Sequence, residues 1–352
     1  MKSFILQGGR IFDGENFFEG DIAVKDGVIA EMGVVQGSYD FTIDVSSCIV
    51  SAGLLDVHVH MKGVSTDVYG VSIDPVCLPF GVTCAADGGA EKGDKAFLET
   101  LDIYAAVFLF APFQNGVPDY KKLDELLQAY GDRAVGVKMY YDSNQPEKPT
   151  LQLLKSVCDY AHGKGLKVMV HCAGSPDTMV DIVATLGKGD ILTHIYHGGK
   201  NTIVEEDFKA YKLAKEKGVV LDAGMAGGVH TNWSVLQQAA GKGYFPDTIS
   251  TDVTNGSAFL RGGNYGLTTC MSIFRAIGME ETELFRSVTS NAAEAINAPK
   301  GRLQIGEKAD ISVLKWEKYE VDEVDSTKEH FKIGAAYVCQ MTVIGGQILY
   351  RR

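Results

Sequence analysis

The sequence lacks the features of a disulfide-bonded or membrane-spanning protein. Its seven cysteines are an odd number among 352 residues, and no two form a C-x-x-C pair, which argues against a disulfide framework or a four-cysteine zinc site. No apolar run approaches the roughly 20 residues of a membrane span, and the first residues, MKSFILQGGRIFDGE, contain no long apolar segment. We therefore expect a cytoplasmic protein that does not bind a membrane.

The charged residues also contain no cluster of lysine and arginine. The formal net charge is −12, and nucleic-acid binding usually needs a basic face. Hydrophobic residues make up 45% of the chain and charged residues 22%, which is ordinary for a soluble enzyme with a sizeable core. These values favour a small-molecule substrate over a nucleic acid.

Both ends of the chain consist of short apolar segments separated by glycine turns. Examples are ILQGGRIFDG and GDIAVKDGVIAEMG near the start, and GRLQIGEKADISVLKW near the end. Such spacing is typical of β-strands, but neither end has enough apolar area to fold alone. We predict that residues 1–50 and 300–352 form one small β-sandwich domain.

The middle of the chain, residues 51–299, alternates between apolar strand-like runs and amphipathic helix-like stretches. This alternation predicts an α/β fold, a (β/α)8 TIM-like barrel. An open doubly wound sheet is the structural alternative, but no G-x-G-x-x-G motif follows the first run. The eight runs are residues 54–60, 82–88, 106–113, 134–141, 166–173, 191–198, 219–227 and 248–253.

Histidines and an aspartate stand near the ends of several of these runs. His58 and His60 are two residues apart, so both side chains point to one face of a strand. An isolated pair of this kind is just as often two hydrogen-bonded core histidines. However, His171, His194 and Asp252 also fall near the carboxyl ends of their runs, where barrel active sites form. Imidazole and carboxylate ligands suit zinc, with manganese or iron as alternatives.

Lys138 lies inside the fourth run, VGVKMYY. A buried lysine is costly unless it is paired or chemically changed. Either the side chain reaches solvent from the strand end, or carbon dioxide carboxylates it. Carboxylation would turn a cation into an anionic oxygen ligand that can bridge two metals.

The order H-x-H, Lys, His, His and Asp along strands one, four, five, six and eight resembles the amidohydrolase superfamily. The segments DPVCLPFGVTCAADGG, GDILTHIYHG and PDTISTDV are similar to its dihydroorotase-like amidohydrolase/deacetylase group. The resemblance implies two divalent metal ions, most simply Zn²⁺. By this resemblance, the more buried metal would be held by His58, His60 and Asp252. The second metal would be held by His171 and His194, and carboxylated Lys138 would bridge the two.

The resemblance further implies hydrolysis of an amide or ester bond in a small N-acyl or O-acyl compound. A metal-bridging hydroxide would attack the carbonyl carbon, and Asp252 would act as general base and then as general acid. The alternatives are a cyclic amidase of dihydroorotase or hydantoinase type and a catalytically inactive scaffold homologue. Relatives are often oligomeric, so a homo-oligomer is expected by analogy.

Substrate contacts are harder to assign. Dihydroorotases usually carry arginine two residues after H-x-H, where this chain has Lys62, and lysine cannot reproduce the bidentate arginine fork. His197 either contacts the substrate or orients His194. The full set of expected substrate-binding residues is Lys62, His197, His230, Arg261 and Asn264.

Overall fold

The computed structural model describes residues 3–259 and 265–352. Within these ranges the strands are β1 (Phe4–Phe12), β2 (Phe17–Lys25), β3 (Val28–Gly33), β4 (Phe41–Asp44), β5 (Ile49–Ala52), β6 (Leu54–Val59), β7 (Val82–Ala90), β8 (Tyr104–Phe110), β9 (Phe113–Gln114), β10 (Val117–Pro118), β11 (Ala134–Tyr140), β12 (Lys167–His171), β13 (Ile191–Thr193), β14 (Val220–Asp222), β15 (Ile311–Val324), β16 (His330–Ile344) and β17 (Gln347–Arg351).

The α-helices of the same ranges alternate with the barrel strands and continue after them. They are α1 (Asp74–Cys77), α2 (Lys95–Leu98), α3 (Tyr120–Tyr130), α4 (Leu151–Gly163), α5 (Met179–Thr185), α6 (Glu205–Lys217), α7 (Trp233–Ala240), α8 (Asn255–Phe259), α9 (Leu267–Ala276), α10 (Glu281–Ser287) and α11 (Ser290–Ala295). Among the described residues, no helix has both the length and the apolar character needed to cross a bilayer.

Helix starts follow local sequence signals. Asp119, Thr150, Thr178 and Asn232 each precede a helix and accept a hydrogen bond from a backbone N–H of its first turn. Such N-caps satisfy donors that the helix itself cannot pair. The amphipathic stretches in the sequence therefore form α3, α4, α6 and α7 close to where their patterns predict them.

The barrel sheet consists of parallel strands in the order β14-β13-β12-β11-β8-β7-β6 within the described residues. The eighth predicted run, residues 248–253, closes the barrel without forming a regular strand. It makes single parallel bridges to both edges, Asp222 with Thr248 and Val59 with Val253. The predicted α/β barrel is thus confirmed, with an irregular eighth strand.

The buried carboxylate of Asp56 explains how the irregular eighth run is held. Asp56 on β6 accepts hydrogen bonds from the backbone N–H and the hydroxyl of Thr251, at 3.0 and 2.6 Å. The backbone N–H of Asp252 then donates to the carbonyl of His58 at 2.7 Å. The Asp56 side chain therefore replaces part of the backbone hydrogen bonding between β6 and the eighth run, and Asp252 is placed next to His58.

A second sheet joins the two ends of the chain. Its order is β17-β16-β15-β5-β1-β2-β3, with β4 paired to β1. The sheet has an apolar core separate from that of the barrel, containing side chains such as Phe4, Ile22 and Val313. The predicted small β unit from both termini is therefore present, and we propose residues 1–50 and 300–352 as its boundaries.

The hairpin formed by β15 and β16 reaches from the terminal sheet to the barrel. Its turn residue Asp325 is buried and accepts a hydrogen bond from the backbone N–H of Trp233, at the start of α7. The neighbouring Ser326 N–H donates to the carbonyl of Thr231 at 2.9 Å. The hairpin turn therefore supports the loop that carries His230.

We predict that Asp325→Ala destabilises the protein by about 3 kcal/mol, because the backbone N–H groups of Trp233, Thr327 and Glu329 lose their charged acceptor, and the first of these bonds is buried. Asp322→Ala in the same hairpin is the matched control, since Asp322 is exposed and pairs only with His330 and Lys332. It should cost less than about 1 kcal/mol. Urea denaturation measures both, and equal losses would contradict the supporting role of Asp325.

Candidate metal centre

The predicted metal ligands meet at the carboxyl ends of the barrel strands. They line a cavity of about 400 Å³, except for Lys138, which lies beneath it and is completely buried. His58 is part of β6 and His171 ends β12, while His194 directly follows β13. Residues that are far apart in sequence therefore share one level of the barrel, as its parallel architecture requires.

Asp252 lies at the centre of this group. Its Oδ1 atom is 3.0 Å from Nε2 of His60 and 3.3 Å from Nε2 of His58. Within the described residues this buried oxygen nevertheless has no hydrogen-bond partner. Tetrahedral ligands about 2.0–2.1 Å from one zinc ion are about 3.4 Å apart, so these atoms have the spacing of ligands to a shared cation.

A second group of possible ligands consists of three imidazoles. Ligand atoms of His171, His194 and His230 lie within 4.8 Å of one another, as do those of His58, His194 and Asp252. His194 belongs to both groups, so the two candidate sites are adjacent. The ring centroids of His194 and His230 are 4.3 Å apart.

Hydrogen bonds on the outer side of each ring fix its orientation. Nδ1 of His58 contacts Thr193 Oγ1 at 3.1 Å, and Nδ1 of His60 contacts Ser65 Oγ at 3.0 Å. His194 donates from Nδ1 to the carbonyl of Gly224 at 2.7 Å. In His58, His60 and His194, it is therefore Nε2 that faces the Asp252 carboxylate. Such outer partners are typical of metal-ligating histidines.

His171 is oriented in the opposite way. Its Nε2 contacts the carbonyl of Ala173 at 3.1 Å, which leaves Nδ1 for a ligand. The ring packs against the rings of Tyr140, His194 and His230. His171 therefore offers a different nitrogen from the other histidines.

Comparison of the buried aspartates separates structural carboxylates from a candidate ligand. Asp222 accepts from the hydroxyls of Thr193, Thr248 and Ser250, each at 2.7 Å. Asp56 is satisfied by Thr251, and Asp87 by backbone N–H groups and the Ser65 hydroxyl. Asp252 instead faces imidazoles, which is the environment expected for a carboxylate that binds a cation.

Lys138 is buried beside these ligands without an ion-pair partner among the described residues. Its Nζ is 2.9 Å from Nε2 of His58 and 3.3 Å from the sulfur of Met169. Burial lowers the pKa of Lys138 to about 8, although the carboxylates of Asp252 and Asp222 oppose this shift. A larger share of the amine is therefore neutral than in an ordinary lysine.

The imidazoles are neutral for a similar reason. Burial lowers the pKa of His58, His171 and His194 well below the usual value, and nearby Lys138 adds to the effect. Burial alone would raise the pKa of Asp252, but the facing His58 and His60 outweigh it and lower that pKa. Neutral imidazoles beside an ionised carboxylate are the forms that bind a metal.

Two of the candidate ligands have strained backbone conformations. His194 has φ of 66° and Asp252 has φ of 49°, both in the left-handed region. Such conformations cost about 1–3 kcal/mol outside glycine and commonly occur at functional sites. The strain turns both side chains into the cavity at the points where their strands end.

These residues fit a divalent metal centre on three observations. Ring nitrogens converge, the buried Oδ1 of Asp252 has no hydrogen-bond partner within the described chain, and the outer ring nitrogens are already bonded. Imidazole and carboxylate donors suit zinc, manganese or iron.

The expected substrate contacts divide into three groups. His230 lines the cavity, with Nε2 at 3.9 Å from Asp252 Oδ2. Lys62 is exposed and His197 is buried, and neither is among the residues that line the cavity. Nδ1 of His197 bonds the carbonyl of Gly198, and its backbone N–H donates to His194. Arg261 and Asn264 lie outside the described residues.

Sequence reasoning missed several groups of the site. Asp87 and Asp222 orient the ligands indirectly, while Glu91, Tyr140 and Asp142 line the cavity. All five lie within or just after the apolar runs, as do the predicted ligands. Attention to every polar residue at a strand end, rather than to histidine and lysine first, would have identified them.

Comparison with known proteins identifies the family to which this chain belongs. A model of the amidohydrolase family matches residues 49–349, and the chain belongs to this family. A deacetylase from Enterococcus faecalis is 28% identical over 363 residues, which cover 93% of this chain and 94% of the relative. A deacetylase from Agrobacterium fabrum is 27% identical over 357 residues, covering 92% and 85%.

Similarity to a solved structure supports the same architecture. The crystal structure of a dihydroorotase superposes with a TM-score of 0.86 at 23% identity, covering all of this chain and 98% of the other. At this identity the likeness concerns the fold. The barrel and the terminal sheet therefore recur together in that dihydroorotase.

We predict that Gly88→Ala weakens metal binding at least about tenfold, because an added Cβ would lie 2.1 Å from Cδ2 of His58. The ring cannot simply move away, since Thr193 holds its other side. Metal content after dialysis against buffered free zinc measures the effect. Gly163→Ala is the control, because its Cβ would meet no heavy atom within 4 Å. Unchanged zinc affinity in Gly88→Ala would contradict His58 as a ligand.

Proposed function

We propose that the protein is a metal-dependent hydrolase that cleaves the amide or ester bond of a small N-acyl or O-acyl compound. The observation that carries this proposal is the paired ligand groups that share His194 at the mouth of the barrel. The deacetylase names of the two relatives support the acyl bond as the target.

The described residues would hold two divalent metal ions. We assign His58, His60 and Asp252 to one ion and His171 and His194 to the other. When bound, such ions polarise a carbonyl group and lower the pKa of water from about 16 towards about 7. His230 is near enough to the second group to contact either the ion or the substrate.

Asp252 is positioned to move the proton. Its Oδ2 faces His194 and His230 at 3.9 Å and borders the open cavity, whereas Oδ1 faces His58 and His60. An attacking water would transfer a proton to Oδ2 while its oxygen bonds to the carbonyl carbon and the π pair of the C=O bond moves to the carbonyl oxygen. The same proton then passes to the leaving nitrogen or oxygen as the acyl bond breaks.

Lys138 is suited to carboxylation by carbon dioxide. The neutral amine bonds to the carbon of CO₂, one C–O bonding pair moves to oxygen, and the nitrogen loses a proton. The product is an anionic carbamate next to His58, and it removes the cost of burying an unpaired ammonium group. We propose that this carbamate completes both ligand sets.

Removal of metal should abolish hydrolysis. We predict that treatment with a chelator lowers kcat/KM for N-acetyl and O-acetyl test compounds at least about 10³-fold, because developing charge at the carbonyl loses its stabilisation. Re-addition of two equivalents of zinc or manganese should restore activity. Metal analysis and acetate release measure the two quantities.

The same assay includes dihydroorotate and hydantoins. Faster turnover of these rings would favour a cyclic amidase. A fully metallated protein that hydrolyses no member of the panel would contradict the proposal and favour a scaffold.

We predict that Lys138→Ala reduces bound metal from about two equivalents to one or fewer, since a bridging ligand is lost. Added short-chain carboxylates such as acetate should restore part of the second equivalent. Lys167→Ala is the matched control, because Lys167 is a partly buried lysine on β12 that contacts backbone carbonyls of Glu294 and Ala295. Wild-type metal content in Lys138→Ala would contradict the bridge.

A further inference from the structure

The outer wall of the active-site cavity carries two carboxylates that the metal centre does not use. Glu91 directly follows β7, and Asp142 lies two residues beyond β11. Asp142 is partly satisfied, because its Oδ1 accepts from the backbone N–H of Asn144 at 2.8 Å and its Oδ2 is 3.8 Å from Nε2 of His171. Within the described residues, the Glu91 side chain makes no hydrogen bond or ion pair. A half-buried, unpartnered carboxylate therefore faces the space that a substrate occupies.

Among the described residues, the cavity offers no lysine or arginine side chain that could bind an anionic substrate. No lysine or arginine of residues 3–259 and 265–352 lines the cavity, and Lys62 is exposed outside it. The histidines that line it belong to the metal centre already described. Outside the metal centre, the described wall is therefore negative.

Aromatic side chains complete this wall. Tyr69, Phe110 and Tyr140 line the cavity, and the rings of Phe110 and Tyr140 are 5.5 Å apart. Aromatic faces pack well against a short alkyl chain and also attract cations. An anionic group would find neither a hydrogen-bonding cation nor a favourable ring face here.

From this arrangement we infer the substrate class: an N-acyl amine whose other end carries a protonated amino group, which pairs with the Glu91 carboxylate. The inference rests on the proposed function and deepens it. The acyl group lies at the metal centre, the alkyl part lies along the aromatic rings, and the ammonium group lies between Glu91 and Asp142. Mono-acylated diamines have this chemistry.

The electrostatics of Glu91 agree with a bound cation. Burial and the charge of Asp87 raise the pKa of Glu91 more than the charges of Lys92 and Lys122 lower it, so its carboxylate is destabilised when nothing is bound. A substrate ammonium group would offset both effects, whereas a substrate carboxylate would add to the repulsion. The same wall therefore selects for a cation and against an anion.

Three acetamides of matched length test the inference. They are mono-N-acetyl-1,4-diaminobutane, which is cationic, N-pentylacetamide, which is neutral, and N-acetyl-4-aminobutanoate, which is anionic. In the wild-type holoenzyme, kcat/KM should fall in that order, with the cation preferred over the neutral compound about 10- to 100-fold. In Glu91→Gln, this cation-to-neutral ratio should fall at least about tenfold.

Two controls keep the outcomes separate. Glu125→Gln changes an exposed glutamate on α3 that pairs with Lys121, and it should keep the wild-type ratio. Asp142→Asn should lower the ratio less than Glu91→Gln, because Asp142 is already hydrogen-bonded. Circular dichroism checks that each variant folds, and metal analysis checks that it binds metal.

The results distinguish failure of this inference from failure of the proposed function. Equal hydrolysis of the three acetamides, preference for the anion, or a Glu91→Gln ratio equal to wild type would overturn the cationic substrate class while leaving acyl hydrolysis intact. A holoenzyme that hydrolyses none of the three acetamides and no other member of the acyl panel would overturn both.

Discussion

The contact between the Asp252 carboxylate and the imidazoles of His58 and His60 is the constraint on which the rest of the site depends. These ligand-type atoms lie about 3 Å apart without hydrogen bonds to hold them together. Such an arrangement is costly unless a cation or a strong scaffold compensates. Here the scaffold contributes a left-handed turn at Asp252 and a carboxylate, Asp56, that fixes the preceding residue.

Polar contacts with neighbouring barrel residues fix the orientation of the ligand side chains. Asp222 receives three hydroxyl groups, one of which, from Thr193, also reaches His58. Ser65 links His60 to Asp87 in the same manner. His58 and His60 are thus each fixed by a chain of hydrogen bonds that ends in a buried carboxylate, whereas His194 and His171 are held by backbone carbonyls. This rigidity is what a preorganised catalytic centre needs. Other residues that line the cavity, such as Glu91, Asp142 and His230, lie on the loops that follow the strands.

The sequence predicts this inner layer well and the outer layer poorly. His58, His171 and Asp252 could be found because strand periodicity fixes both the face and the level of a side chain. His230 was among the expected substrate-binding residues, but its place beside His171 and His194 could not be predicted, since it depends on a loop held by Ser326 from a distant hairpin. Loop geometry likewise keeps Lys62 and His197 out of the cavity and brings Glu91 into it. The irregular eighth run was predicted as a strand because its apolar pattern is regular, whereas the Asp56 contact that reshapes it is not visible in sequence.

The pairing of β5 with β15 has a consequence for the order in which the molecule can be assembled during translation. Ile49–Ala52 are synthesised before the barrel, but their hydrogen-bonded neighbours, from Ile311 onward, are synthesised after it. Until then β5 has an open edge, which is a site for wrong pairing, and the His230 loop has no hairpin turn against it. The histidines proposed to bind metal are therefore present in the nascent chain before the hairpin turn that holds the neighbouring His230 loop.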